Sequence, residues 1–336
     1  MTATFGNTVL QDQARVLRER GAWNELTSLL DQHLPEVRLQ PELVNLRGES
    51  YLRAGSIRES RAWFADAIPV IERRGDRSAL RRAINMIGVA DFQLGALEKA
   101  GPEFERAVEL GQQDGDDLLV ARATNNLGMI ANIRAQRERA LGLYSVAVAA
   151  YQRLGDVMGL AQCHHNMAIT FRDAGDLESA DEHELRAIEF AREAANPLLI
   201  AQARLGRAEI SLRKGDAAFA EAAAERAAEQ FAALPEPIQE ADALRLVGVA
   251  ALAQGKWDVA MSSLDEALLL SRETGGALGE AETLQARAEL YMRLGDRDRM
   301  RDDAAVAIGI FRGLQATSEV QRLGAWLAEQ DGAPRA

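Results

Sequence analysis

Residues 122–147 read RATNNLGMIANIRAQRERALGLYSVA, and that stretch decides the fold. Two helix-forming runs meet at Ala135. Gly128 stands before that point, and Ala140, Tyr144 and Ala147 stand after it. The same frame recurs every forty residues, at Gly55, Gly95, Ala135, Gly175, Gly215, Gly255 and Gly295. Seven residues before each marker is Gly48, Gly88, Gly128, Ala168, Ala208, Gly248 or Ala288. Twelve residues after each is an alanine, from Ala67 and Ala107 through to Ala307. Small residues recur in this way where two helices cross closely, so the pattern predicts a stack of helical hairpins.

The breaks between repeats are also periodic. They fall at Gly75-Asp76, Gly115-Asp116, Gly155-Asp156, Asn196-Pro197, Pro235-Glu236-Pro237 and Gly275-Gly276. Proline lacks the amide donor and glycine relaxes the backbone, so both end helices. Strand-type alternation is missing throughout, which predicts an all-α chain. The expected organisation is a single solenoid over 7–330. Its repeats lie near 7–40, 41–80, 81–120, 121–160, 161–200, 201–240, 241–280 and 281–316. A capping helix follows at 317–330, with Val320, Leu323, Trp326 and Leu327 on one face. Residues 1–6 and 331–336 are expected to be disordered.

These features resemble the tetratricopeptide repeat family. The turn reads Gly175-Asp176, Gly215-Asp216 and Gly295-Asp296. The second-helix aromatic is Phe64, Phe104 and Tyr144, then lapses to Glu184, Ala224, Leu264 and Ala304. The first-helix aromatic survives as Tyr51, Phe171 and Tyr291. Gly21-Ala22-Trp23 matches Gly255-Lys256-Trp257 and marks an eighth repeat at the front. The usual period is about 34 residues, whereas this chain uses a longer one. In that respect it is similar to kinesin light chains and bacterial peptide-sensing regulators. The resemblance implies a right-handed α-solenoid.

Composition narrows the function. The formal charge is −12, which opposes nonspecific binding to nucleic acid and docking on anionic lipid. A long apolar run and a signal-type N-terminus are both lacking. One cysteine, Cys163, fits a reducing compartment, so a cytoplasmic location is expected.

The resemblance implies that the first helix of each repeat lines a concave groove. The inward stripe holds residues spaced by three and four, which share one helix face. It runs through Arg82, Asn85, Val89 and Phe92, then Arg122, Asn125, Met129 and Asn132. Gln162, His165, Ile169 and Arg172 follow, with Asn126 and Asn166 adjacent and Asn45 in register with Asn85. A carboxamide offers one acceptor and two donors, so an asparagine ladder suits an extended peptide backbone. Arg82, Arg122 and Arg172 would attract acidic groups. Phe92, Met129 and Ile169 would supply apolar contacts. The equivalent C-terminal stripe, including Glu209, Asp242, Glu282 and Glu289, is more acidic and has no ladder.

Catalytic and cofactor signals are lacking. No phosphate-binding loop, paired-histidine zinc helix or nucleophile elbow occurs. In Cys163-His164-His165, successive helical residues point about 100° apart and do not converge on a metal. Cys163 and His164 are expected between helices and His165 in the groove. The expected function is a non-catalytic scaffold binding a protein or peptide segment that carries acidic residues, with no cofactor and no metal. A homo-oligomer is not indicated. Alternatives are a peptide-sensing regulator and a structural subunit. Residues 1–40 are too short for the N-terminal effector domain usual in such regulators, which counts against that option.

Overall fold

The computed structural model describes residues 3–314 and 316–332. All regular structure among them is helical. The order is α1 (Ala3–Glu19), α2 (Trp23–Gln32), α3 (Leu34–Val37), α4 (Pro41–Arg53), α5 (Ile57–Arg74), α6 (Arg77–Gln93), α7 (Leu97–Asp114), α8 (Asp117–Ile133) and α9 (Arg137–Leu154). Then follow α10 (Val157–Ala174), α11 (Leu177–Glu193), α12 (Pro197–Arg213), α13 (Ala217–Ala233), α14 (Pro237–Ala253), α15 (Trp257–Glu273), α16 (Ala277–Leu294), α17 (Arg297–Gly313) and α18 (Thr317–Gly332). Thus α1 begins within the stretch expected to be disordered, and α18 extends beyond the expected end of the capping helix. The rest of the expected tail, 333–336, lies outside the described residues, as do residues 1 and 2.

Where the sequence reads as one continuous solenoid, contacts divide the chain into two compact units, Met1–Cys163 and His164–Ala336. In each unit, neighbouring helices pair as hairpins. The first helices of successive hairpins also touch: α4 with α6 and α6 with α8 in the first unit, α12 with α14 and α14 with α16 in the second. This second set of contacts brings positions forty residues apart side by side.

The Gly-Asp breaks do two jobs. Gly115 ends α7 in the left-handed conformation, with φ of 69°, which costs glycine little because it has no Cβ. Asp116 then caps α8, its carboxylate accepting from the Leu119 amide at 3.1 Å. Asp76, Asp176, Asp216 and Asp296 cap their helices in the same way. Such caps satisfy amides that the helix itself leaves unpaired.

The small residues seven before each marker are where the second helix drives in a side chain. Phe64, Phe104 and Tyr144 are fully buried. Their rings lie where a Cβ on Gly48, Gly88 or Gly128 would stand. In the second unit Leu264 fills the same role over Gly248. Asp91, a charged residue at an inner position, is 2% exposed and accepts from Arg61 Nε at 2.6 Å. Among the described residues no helix is long and apolar enough to cross a membrane.

Candidate functional site

Stacking of α4, α6 and α8 sets Asn45 and Asn85 in one column, with Arg82 and Arg122 in another. These side chains line a cavity of about 520 Å³ in the first unit. Its far wall is α1, which contributes Gln11, Asp12, Arg15 and Arg18. Glu42 and Glu49 also face it, so both signs of charge are present.

Pairing within the cavity is uneven. Arg15 meets Asp12 at 2.8 Å, and Arg18 meets Glu49 at 3.3 Å. Asp116, already the α8 cap, receives Arg81 Nε at 3.2 Å. Among the described residues Arg82 and Arg122 have no ion-pair partner, and both are exposed. Asn45 donates its Nδ2 to the Ala79 carbonyl at 3.1 Å, tying α4 to α6. The Oδ1 atoms of Asn45 and Asn85 are buried with no hydrogen-bond partner. A buried unpaired acceptor costs stability until a donor reaches it.

Other residues expected at the site do not line this cavity. Phe92, Asn126, Met129 and Asn132 are half-buried. Asn125 is 6% exposed, with Nδ2 4.0 Å from Met129 Sδ. His165, Asn166, Ile169 and Arg172 belong to the second unit. There Arg172 is held by Glu209 and Asp173. His165 Nδ1 lies 3.0 Å from Glu184 Oε2, and the Asn166 carbonyl accepts from Thr170 Oγ1 at 3.1 Å. The acidic C-terminal stripe is partly neutralised from within, since Arg245 meets Glu282 at 3.0 Å and Asp242 at 3.6 Å. Burial nevertheless pushes both carboxyls up.

The sequence reading missed the α1 wall. Its signal was present: Gln11, Arg15 and Arg18 are spaced by four and three, so they share a helix face. It also missed what replaces the aromatic at Glu184. That carboxylate is 1% exposed, and Gly206 leaves the space it occupies, because a Cβ there would stand 2.1 Å from Oε1.

The Cys163-His164-His165 run divides its side chains among different surroundings. Cys163 is buried against the Tyr144 carbonyl at 3.6 Å, and burial pushes its thiol up to about 12. His164 Nδ1 lies 2.8 Å from His183 Nδ1, and the rings stack with Phe171 and Phe190. Burial, with His183 nearby, lowers His164 to about 4. His183 is lowered too, chiefly by burial. For His165, burial opposes protonation, but the charge and hydrogen bond of Glu184 outweigh it and raise its pKa. Among the described residues no three His, Cys, Asp or Glu side chains converge as a metal site.

Helical hairpins stacked in register, with a polar cavity on their first helices, define a tandem-repeat protein. Residues 119–193 match the family model described as tetratricopeptide repeat. The chain is similar in fold to three solved structures. A Rap protein complexed with Competence and Sporulation Factor is 15% identical, with a TM-score of 0.66, and 97% of each chain is covered. Aspartyl phosphate phosphatase F from Bacillus subtilis is 13% identical, with a TM-score of 0.59 over 99% of this chain and 96% of that one. The APC/C hetero-tetramer Cut9-Hcn1 is 14% identical, with a TM-score of 0.65 over 96% of this chain and 57% of that one. No curated protein sequence matches the chain. These likenesses show the all-α tetratricopeptide fold. A factor-bound protein, a phosphatase and an assembly subunit share it, so fold alone does not choose the function.

Proposed function

We propose that the chain is a non-catalytic interaction scaffold whose first-unit cavity holds an extended peptide segment of a partner. One observation carries this reading. The cavity combines cations with no ion-pair partner among the described residues, Arg82 and Arg122, with buried acceptors that have no hydrogen-bond partner there, the Oδ1 atoms of Asn45 and Asn85. A peptide backbone supplies N–H donors at regular spacing, and acidic side chains or a terminal carboxylate supply the anions. Asn125, Asn126, Met129, Asn132 and Phe92 would continue the contact along α6 and α8. In the second unit, His165, Asn166, Ile169 and Arg172 are the corresponding positions, with His165 and Arg172 already engaged internally.

The Rap structure, which holds Competence and Sporulation Factor, supports placing a ligand on this fold. A regulatory role is compatible with the same cavity, and so is a cytoplasmic location. The test is a crosslinking pull-down mapped by mass spectrometry, with wild type beside Arg82→Gln/Arg122→Gln. A partner segment crosslinked to α4, α6 or α8 and lost in the variant supports the scaffold. A stoichiometric, salt-resistant companion that the variant retains would place the chain in an assembly instead.

A further inference from the structure

Three arginines occupy the same place in the repeat frame, eight residues before a marker: Arg47, Arg207 and Arg287. Two of them are covered by the residue eight after the marker. Arg47 lies 4.0 Å from the Trp63 ring centroid. Arg287 is clamped by Asp303, Nε to Oδ2 at 2.6 Å and Nη2 to Oδ1 at 2.8 Å. At Arg207 the covering residue is Ala223, which reaches nothing. Arg207 grips Asp181 through Nε and Nη2. Its Nη1 has no partner among the described residues.

The space that Ala223 leaves is part of a cavity of about 530 Å³ between α12 and α13. Arg204 and Arg226 line it and have no ion-pair partner among the described residues. Phe219 forms an apolar edge, 44% exposed, with the Arg207 guanidinium 6.0 Å from its ring centroid. Glu229 is the one acidic side chain in the lining, against three arginines. The buried Oε1 of Gln230 is unpartnered. In a chain of net charge −12 this is a locally cationic pocket. Arg204 and Arg207 each follow a predicted groove position, Gln202 and Leu205, by two residues. At about 100° per residue Arg207 points nearly opposite the stripe read as the groove, and Arg204 lies to the side of it.

We propose that this pocket is a second binding site, taking an acidic peptide segment of a protein partner. A carboxylate of the segment meets Arg207 Nη1, the edge that Asp181 leaves open, together with Arg204 and Arg226. An apolar side chain between the acids lies against Phe219 and the low floor of Ala222 and Ala223. Planar guanidinium groups suit carboxylates in this way, because two parallel N–H donors meet two oxygens.

The test uses the full chain and a fluorescein-labelled Glu-Glu-Leu-Glu-Glu peptide, read by fluorescence anisotropy at about 50 mM salt. The matched Gln-Gln-Leu-Gln-Gln peptide is the control. All variants are built on Arg82→Gln/Arg122→Gln, so the first-unit cavity does not contribute. Ala223→Asp sets a competing carboxylate among the three arginines and is expected to weaken acidic-peptide binding about tenfold or more. Arg204→Gln/Arg226→Gln is expected to do the same with the space left open, which keeps the test valid if Ala223→Asp misfolds. Two results would overturn the proposal: no acidic-peptide binding up to about 1 mM, or binding that the folded variants leave unchanged. Equal binding of the glutamine peptide would overturn it as well.

Discussion

The Tyr144 ring lies directly over Gly128, so that a Cβ at position 128 would stand 2.5 Å from Cε1. That distance is shorter than any real carbon contact, and the ring is 1% exposed with nowhere to move. Gly128→Leu is therefore expected to destabilise the chain by ~1–3 kcal/mol or more. Gly142, two residues from Tyr144 in the same helix, has nothing within 4 Å of a built Cβ. Gly142→Ala is expected to stabilise by ~0.5–1 kcal/mol through reduced chain entropy. Urea denaturation midpoints check the pair. Equal midpoints for wild type and Gly128→Leu would remove the packing assignment.

Ala135 is the one repeat marker that is not glycine, and it holds a left-handed φ of 57°. A Cβ makes that conformation unfavourable by ~1–2 kcal/mol. Ala135→Gly should raise stability by up to about that amount, less the added freedom of the unfolded chain. Gly295, with φ of 77°, is the reverse case, and Gly295→Ala should cost ~1 kcal/mol. Thermal melts of the two single variants should move in opposite directions.

His164 and His165 are sequence neighbours with opposite pH behaviour. His164 is lowered to about 4, so its neutral form is the folded one. Its contribution is present above the unfolded value near 6.5 and is lost as pH falls toward 4. His165 is raised by Glu184, so its contribution is full below that unfolded value and fades as pH rises through its folded pKa. Melting temperature measured against pH should show both limbs. His164→Leu/His183→Leu should flatten the acid limb, and His165→Gln the alkaline one. An acid limb unchanged in the double variant would break the assignment.

The first-unit cavity separates binding from stability. Arg82 and Arg122 have no ion-pair partner among the described residues, so Arg82→Gln/Arg122→Gln should leave stability within ~0.5 kcal/mol. The same change should weaken partner binding and flatten its salt dependence. Asn45→Ala behaves otherwise, because Asn45 Nδ2 donates to the Ala79 carbonyl and ties α4 to α6. It should cost ~0.5–1.5 kcal/mol by removing that tie, the carbonyl keeping its partner within α6. Chemical denaturation together with titration of the captured partner distinguishes the two classes. A stability loss at the arginines equal to that at Asn45 would give them a structural role.

The repeat frame was legible in the chain because it is local. Gly128, Ala135, Tyr144 and Ala147 sit at fixed offsets, and helix period alone places them at crossings, turns and knobs. The candidate stripe was legible for the same reason, since Arg82, Asn85, Arg122 and Asn125 follow helix spacing. Which of them meet was decided by stacking between hairpins. The same asparagine offset yields a tie to Ala79 at Asn45, an unpaired acceptor at Asn85 and a buried amide at Asn125. Helix spacing did not reveal that α1 closes the cavity or that Glu184 occupies the space beside Gly206. It also did not reveal that Ala223 leaves space beside Arg207. Those facts depend on side chains separated by many residues, and on which neighbour fills, or fails to fill, the volume between them. The one-dimensional pattern fixes the direction each side chain takes from its own helix. Only the packed hairpins decide what it meets there.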